Sequence, residues 1–158
     1  MKEYICFREG KHMAFGNPYA AYQTTAVKTA SQGKLVVMLY QGAERELSAA
    51  IKCFGGDSKI PASKVEDFGK HIMKAQEIVN ELQVSLDMDR GGQISQNLMS
   101  LYVYFNKELM DVSIKQDKEK LGLILNMIKE LGSAWEAAAA NTAADSVPQA
   151  QRTLNITG

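Results

Sequence analysis

Val65, Phe68, Ile72, Ala75, Val79, Leu82 and Leu86 recur at steps of three, four, three, four, three and four. That spacing puts seven apolar side chains along one seam of a helix and limits the segment to packing against other helices. Pro61 stands just before it, and Ser63 with Glu66 has the spacing of a capping box. The chain has only three prolines, Pro18, Pro61 and Pro148. The long windows between them leave room for several such helices.

Three further windows carry the same period. One holds Leu35, Leu39, Ala43, Leu47, Ala50, Ile51 and Phe54, with Ser31 as its cap and Gly55-Gly56 as its stop. The second runs through Ile94, Leu98, Leu101, Phe105, Leu109 and Val112, after a loop over 87–93 whose glycines allow positive φ. The third is opened by Asp117 and holds Leu121, Ile124, Ile128, Leu131, Trp135 and Ala138. A shorter helix follows Asn17-Pro18 and reaches about Thr29. No window alternates like a strand. Short loops between long helices predict an all-α fold, an antiparallel four-helix bundle with a short N-terminal capping helix. The expected division is a flexible extension over 1–16, a bundle over 17–140 and a flexible tail over 141–158. Met13 precedes a segment that reads like a natural start, so either Met1 or Met13 could open the cellular protein.

Composition excludes several functions. With 18 Lys plus Arg against 18 Asp plus Glu in 158 residues, the chain is neutral. It lacks the basic excess of a nucleic-acid binder. No apolar run nears the roughly 20 residues that span a bilayer, so no stable membrane insertion is expected. Cys6 and Cys53 are too few for a disulfide framework. These features, with no apparent secretory signal, predict a cytoplasmic protein.

Nothing points to catalysis. His12 and His71 are too few for the repeated Glu-x-x-His sets of metal-binding bundles, and Phe68 stands three residues before His71. Each histidine reads as structural or surface-exposed, and Cys53 reads as a packed thiol. Arg90-Gly91-Gly92-Gln93 contains the tripeptide of peptide-release factors, but a ribosome-binding factor would carry a basic surface. The mixed Lys and Glu residues on the helices read as solvated faces. The expectation is a non-enzyme with no cofactor and no metal.

The helix after the 87–93 loop has an apolar surplus. Opposite its core stripe lie Met99, Val103, Met110 and Ile114, at steps of four, seven and four. Either that helix is buried on two sides, by the bundle and by the first helix, or it borders an exposed groove for a partner segment. The eight methionines suit an adaptable surface.

Several segments in consistent order resemble one family. They are Asn17 to Tyr22 (NPYAAY), Thr29 to Ser31, Leu35 to Gly42 (LVVMLYQG), Lys74 to Val79, Ser85 to Ile94 (SLDMDRGGQI), Asn97-Leu98, Leu101 to Tyr104 (LYVY), Ile114-Lys115 with Asp117, and Ala134-Trp135. Together, over about residues 17–140, they resemble the flagellin export chaperones of the FliS family. The resemblance implies a bundle that binds the disordered C-terminal segment of flagellin, blocks its premature polymerisation and presents it to the flagellar type III export gate. It implies partner-binding roles for Tyr19, Tyr22, Leu35, Met38, Leu39, Tyr40, Ile94, Asn97, Leu98, Leu101 and Tyr102, without dividing core from groove. Met99, Val103 and Met110 join that set from the surplus stripe alone. The alternative is a self-associating bundle, a homodimer when flagellin is absent.

Overall fold

The structure, a computed structural model, describes residues 32–145. The expected helix over 17–29, its residues Tyr19 and Tyr22, the Ser31 cap and the segments 1–16 and 146–158 lie outside the described residues.

Among the described residues, four α-helices form an all-α antiparallel bundle. Helix α1 is Gln32–Lys52, α2 is Val65–Ser85, α3 is Gly92–Lys115 and α4 is Lys118–Asp145. Each packs on two neighbours in a closed ring, α1 on α2 and α4, and α3 on α2 and α4. The pairings of α1 are the more extensive.

Helix α1 buries Leu35, Leu39, Ala43, Leu47 and Ala50 on one face, as its period requires. Its end is drawn in by hydrogen bonds from the Cys53 and Phe54 amides to the Ala50 and Ile51 carbonyls. Gly55 N–H then donates to the Lys59 carbonyl at 2.7 Å and closes the loop. Phe54 packs edge-on against Phe68 of α2, with ring centroids 5.5 Å apart. The Lys118 ammonium lies 5.9 Å above the Phe54 ring, so α4 begins where α1 ends.

The start of α2 differs from the expected capping box. Pro61 leads into a single 3₁₀ turn, Ala62–Lys64, and Lys64 takes the N-cap position without a side-chain cap. The extra turn displaces Ser63 from the cap. Glu66 instead pairs with Lys70 at 2.6 Å, one helical turn on. Phe68, Ile72, Ala75, Val79 and Leu82 are buried as the seam predicts, joined by Ile78. Val65 is exposed because it sits on the first turn, beyond the reach of its neighbours.

The α2–α3 loop uses its glycines in different ways. Asp87 Oδ1 accepts from the amides of Asp89 and Arg90, each at 3.0 Å. Gly91 N–H donates to the Asp87 carbonyl. A Cβ at Gly91 would collide with the Ser95 side chain, which is buried. Gly92 takes the left-handed conformation, at φ 51°. At the other end of α3, Gln116 closes the helix at φ 53°, its N–H donating to the Val112 carbonyl. Asp117 caps α4 as expected, Oδ1 accepting from the Lys120 amide at 3.0 Å.

Helix α4 buries Leu121, Ile124, Ile128 and Trp135. It continues through the alanine run to Asp145, so the boundary expected at 140 falls inside the helix. Alanine is the strongest helix former, and Asn141-Thr142 is too short an interruption to stop it.

Candidate functional site: the outer face of α3 and its seam with α2

The core of α3 is built from Ser95, Tyr102, Phe105, Leu109 and Val112. Leu98 and Leu101 are half-buried and pack against the core. Ile94, expected in the core stripe, is exposed at the helix start. Its place inward is taken by Ser95, which fits under the Gly91 backbone where a larger side chain has no room.

Burial separates the sequence candidates. Leu35, Leu39, Tyr40 and Tyr102 are inside the bundle. Their side chains are packed inside the chain itself. Met38, Leu98 and Leu101 are half-buried, and Ile94 and Asn97 are exposed. Of the surplus stripe, Met99 is half-buried against the core. Val103 is 53% exposed, Met110 55% and Ile114 74%. The stripe is therefore not covered by the bundle over most of its length.

At the bundle centre, Tyr40 of α1 and Tyr102 of α3 share a hydrogen bond of 2.7 Å between their hydroxyls. Trp135 of α4 is a further hydrogen-bond partner of Tyr40. These helices lie on opposite sides of the ring, so the bond ties its diagonal. Burial pushes the Tyr40 hydroxyl up to about 12, and the hydrogen bonds from Tyr102 and Trp135 oppose part of that rise. Burial, with Tyr40 beside it, also raises Tyr102 well above the usual tyrosine value. Both are neutral at physiological pH and act as struts, holding the outer face of α3 in place.

The seam between α2 and α3 carries amides. Gln76 Nε2 donates to the Asn106 carbonyl at 3.2 Å, and Asn106 Nδ2 donates to Asn80 Oδ1 at 2.7 Å. Asn106 Oδ1 is buried and has no hydrogen-bond partner. Met73 and Val84 lie on the same arc of α2 as Asn80 and are exposed, Met73 at 55%. Helix α3 adds uncharged polar groups. Gln93 Nε2 donates to Asn97 Oδ1 at 2.9 Å, and Ser100 Oγ to the Gln96 carbonyl at 3.1 Å. From Gly91 to Asn106 no side chain is charged.

Charges gather instead at the α3–α4 end. Lys120 bonds Glu108 and Asp111, each at 2.8 Å, and Lys115 bonds Asp111 at 2.9 Å. The hydrogen bonds from Lys120 and Lys115 hold the Asp111 carboxyl below the usual carboxylate range, and those carboxylates raise Lys120. This cluster clamps the hairpin from outside. His71 is occupied by Glu46 of α1 at 2.7 Å, and the buried Cys53 thiol faces the Ala49 carbonyl at 3.5 Å. Burial raises the Cys53 thiol, which disfavours the reactive thiolate. No three potential metal ligands cluster among the described residues. Glu9 does stand three residues before His12, but both lie outside the described residues. No helix among the described residues is long and apolar enough to cross a membrane.

The bundle thus leaves an apolar strip open on α3, beside the amides of the α2–α3 seam. The model of the flagellar protein FliS family matches residues 15–142. The chain belongs to the FliS family. It is 31% identical to the flagellar secretion chaperone FliS of Bacillus subtilis over 80% of this chain and 89% of that one. It is 29% identical to the Salmonella typhimurium protein of the same name over 71% of this chain and 79% of the relative. Among solved structures, a bacterial flagellar chaperone superposes with a TM-score of 0.62 at 17% identity, covering 77% of this chain and 97% of that one. That likeness concerns the fold. FliS membership makes this chain one of the flagellar secretion chaperones.

The sequence missed the α2 side of the seam. Met73 and Val84 lie off the heptad that identified the helix, and Asn80 and Asn106 have no spacing motif. A signal was present in the run of uncharged residues leading into Asn106.

Proposed function

We propose that the chain binds the disordered C-terminal segment of flagellin, prevents its premature polymerisation in the cytoplasm and helps deliver it to the flagellar export gate. The observation that carries this reading is the exposed apolar strip of Val103, Met110 and Ile114 on a FliS-family bundle. A segment that folds on binding loses ordering entropy and needs a long apolar surface to offset it. Flexible methionines at that surface suit a grip that must later be released. Met99 extends the same helix face toward the α2–α3 loop, Ile94, Asn97, Leu98 and Leu101 lie on other faces of that helix, and Met38 lies on α1.

Co-purification with flagellin tests the reading. Full-length flagellin is expected to be retained, and flagellin lacking its C-terminal segment is expected to be lost. Equal retention of both would contradict it. The competing reading, a homodimer closed over the same strip, predicts a dimer mass in solution that flagellin does not change.

A further inference from the structure

Burial sorts the methionines of the described residues. Met73 and Met110 are the most exposed of them, 55% each, and Met88 is exposed as well. Met38, Met99 and Met127 are half-buried, the last two packed against the core. Met73 and Met110 also share a level. The hydrogen bonds from Gln76 to Asn106 and from Asn106 to Asn80 fix the antiparallel register of α2 and α3. Met73 stands three residues before Gln76, and Met110 four after Asn106. Each therefore lies about one helical turn from that bond, toward the same end of the seam. Met88 sits apart, in the α2–α3 loop.

Three features make this pair a place for modification. The first is access. A thioether has no proton to lose, so exposure of the sulfur governs how readily an oxidant reaches it. The second is the absence of a ready thiol beside it. Cys53, the one cysteine among the described residues, is buried, and burial disfavours its thiolate. The third is consequence. Oxidation turns a flexible apolar side chain into a polar sulfoxide. At Met110 that group would stand on the stripe shared with Val103 and Ile114, whose exposed surface is apolar. Water solvates a sulfoxide on the free chain. A partner laid over the stripe removes that water, and an apolar partner returns no hydrogen bond.

We propose that Met73 and Met110 form an oxidant-sensitive switch: hydrogen peroxide converts their thioethers to sulfoxides and weakens the hold on the client, and reduction of the sulfoxides restores it. In the forward step a sulfur lone pair takes one oxygen of the peroxide. The S–O bond forms, the O–O bond breaks, and the second oxygen leaves as water with both protons. Sulfur loses two electrons and the peroxide gains them. The return step is a two-electron reduction by thiol-dependent methionine sulfoxide reductases, one for each sulfoxide epimer, with the oxygen again leaving as water. The inference rests on the flagellin-binding reading. It adds a covalent and reversible control of that binding, at two named sulfurs.

The test treats the full chain alone with hydrogen peroxide, removes the peroxide with catalase and maps sulfoxides by peptide mass spectrometry. The treated chain is then titrated calorimetrically with the C-terminal segment of flagellin from the same bacterium, and its thermal unfolding is recorded. Sulfoxide is expected at Met73, Met88 and Met110 before Met38, Met99 and Met127. Affinity is expected to fall roughly tenfold, as when a buried polar group lacks a partner, with unfolding little changed. Dithiothreitol, which reverses thiol oxidation, is expected to leave the loss in place, and the two methionine sulfoxide reductases to repair it. Whatever its starting affinity, the double variant Met73→Leu/Met110→Leu is expected to lose none of it on treatment. Met88→Leu is expected to lose as much as the unmodified chain. Unchanged affinity with both Met73 and Met110 oxidised would overturn the switch and leave the flagellin reading standing. A loss that persists in the double variant, or that the reductases do not repair, would overturn it too. Absence of any binding by the untreated chain would overturn the flagellin reading and this proposal with it.

Discussion

Helices α1 and α3 face each other across the bundle and treat their apolar residues differently. Among the described residues, α1 leaves no large hydrophobic side chain exposed, whereas α3 exposes Ile94, Val103, Tyr104, Met110 and Ile114. Helix α1 is the more closely packed between α2 and α4, and α3 touches both less extensively. The contrast divides the labour. The apolar surface of α1 is spent on folding, and part of that on α3 remains available to another chain. Tyr102 and Val103 show the division within two residues, one bonded at the bundle centre and the next in water.

Substitutions on the two helices should therefore separate stability from binding. The largest loss of stability is expected from Leu47→Ala, at a fully buried α1 position. It should cost about 2–5 kcal/mol through lost transfer energy and a cavity, read by denaturant unfolding. Val103→Ala on α3 should change unfolding by less than about 0.5 kcal/mol, as surface substitutions do. If the two cost the same, the division fails.

Between these lies the strut that joins the two helices. Tyr102→Phe should cost about 1–2 kcal/mol by leaving the buried Tyr40 hydroxyl with one partner fewer. The pH dependence has a definite sign. A tyrosine ionises near 10 when unfolded, and Tyr40 near 12 when folded. The folded state thus holds the proton more tightly, so this contribution is complete below pH 10 and is lost as pH rises from 10 toward 12. Replacing both Tyr40 and Tyr102 by Phe should make alkaline unfolding less steep in that window.

A small effect of opposite sign is expected at the turn out of α3. Gln116 holds a left-handed conformation at φ 53° that glycine adopts without strain. Gln116→Gly should raise stability by about 0.5–1 kcal/mol, measured by thermal unfolding, with flagellin binding unchanged.

The helices and most of the core were legible because burial imposes a period. The seam of α2 and the caps at Pro61 and Asp117 follow from local rules, although the 3₁₀ turn at 62–64 moved the start of α2 past Ser63. The alanine run was harder to read, since small residues mark both flexible tails and helices, and α4 runs through it to Asp145. The site was only half legible. The stripe of α3 shows in its spacing, but periodicity cannot tell a helix buried on two sides from one left open. Nor can it show that Tyr40 meets Tyr102 across 62 positions of sequence, or that Asn80 meets Asn106. Such pairs depend on helix register, which is set by the packed core as a whole.

The central claim is that the open face of α3 exists to hold flagellin. Its most direct measurement is the affinity of the full chain and of its Val103→Glu variant for the C-terminal segment of flagellin, with folding of both checked by thermal unfolding. The expected result is tight binding by the unmodified chain and a loss of tenfold or more in the variant (about 1.4 kcal/mol) with its unfolding little changed. Equal affinity in a variant that folds normally would contradict the account.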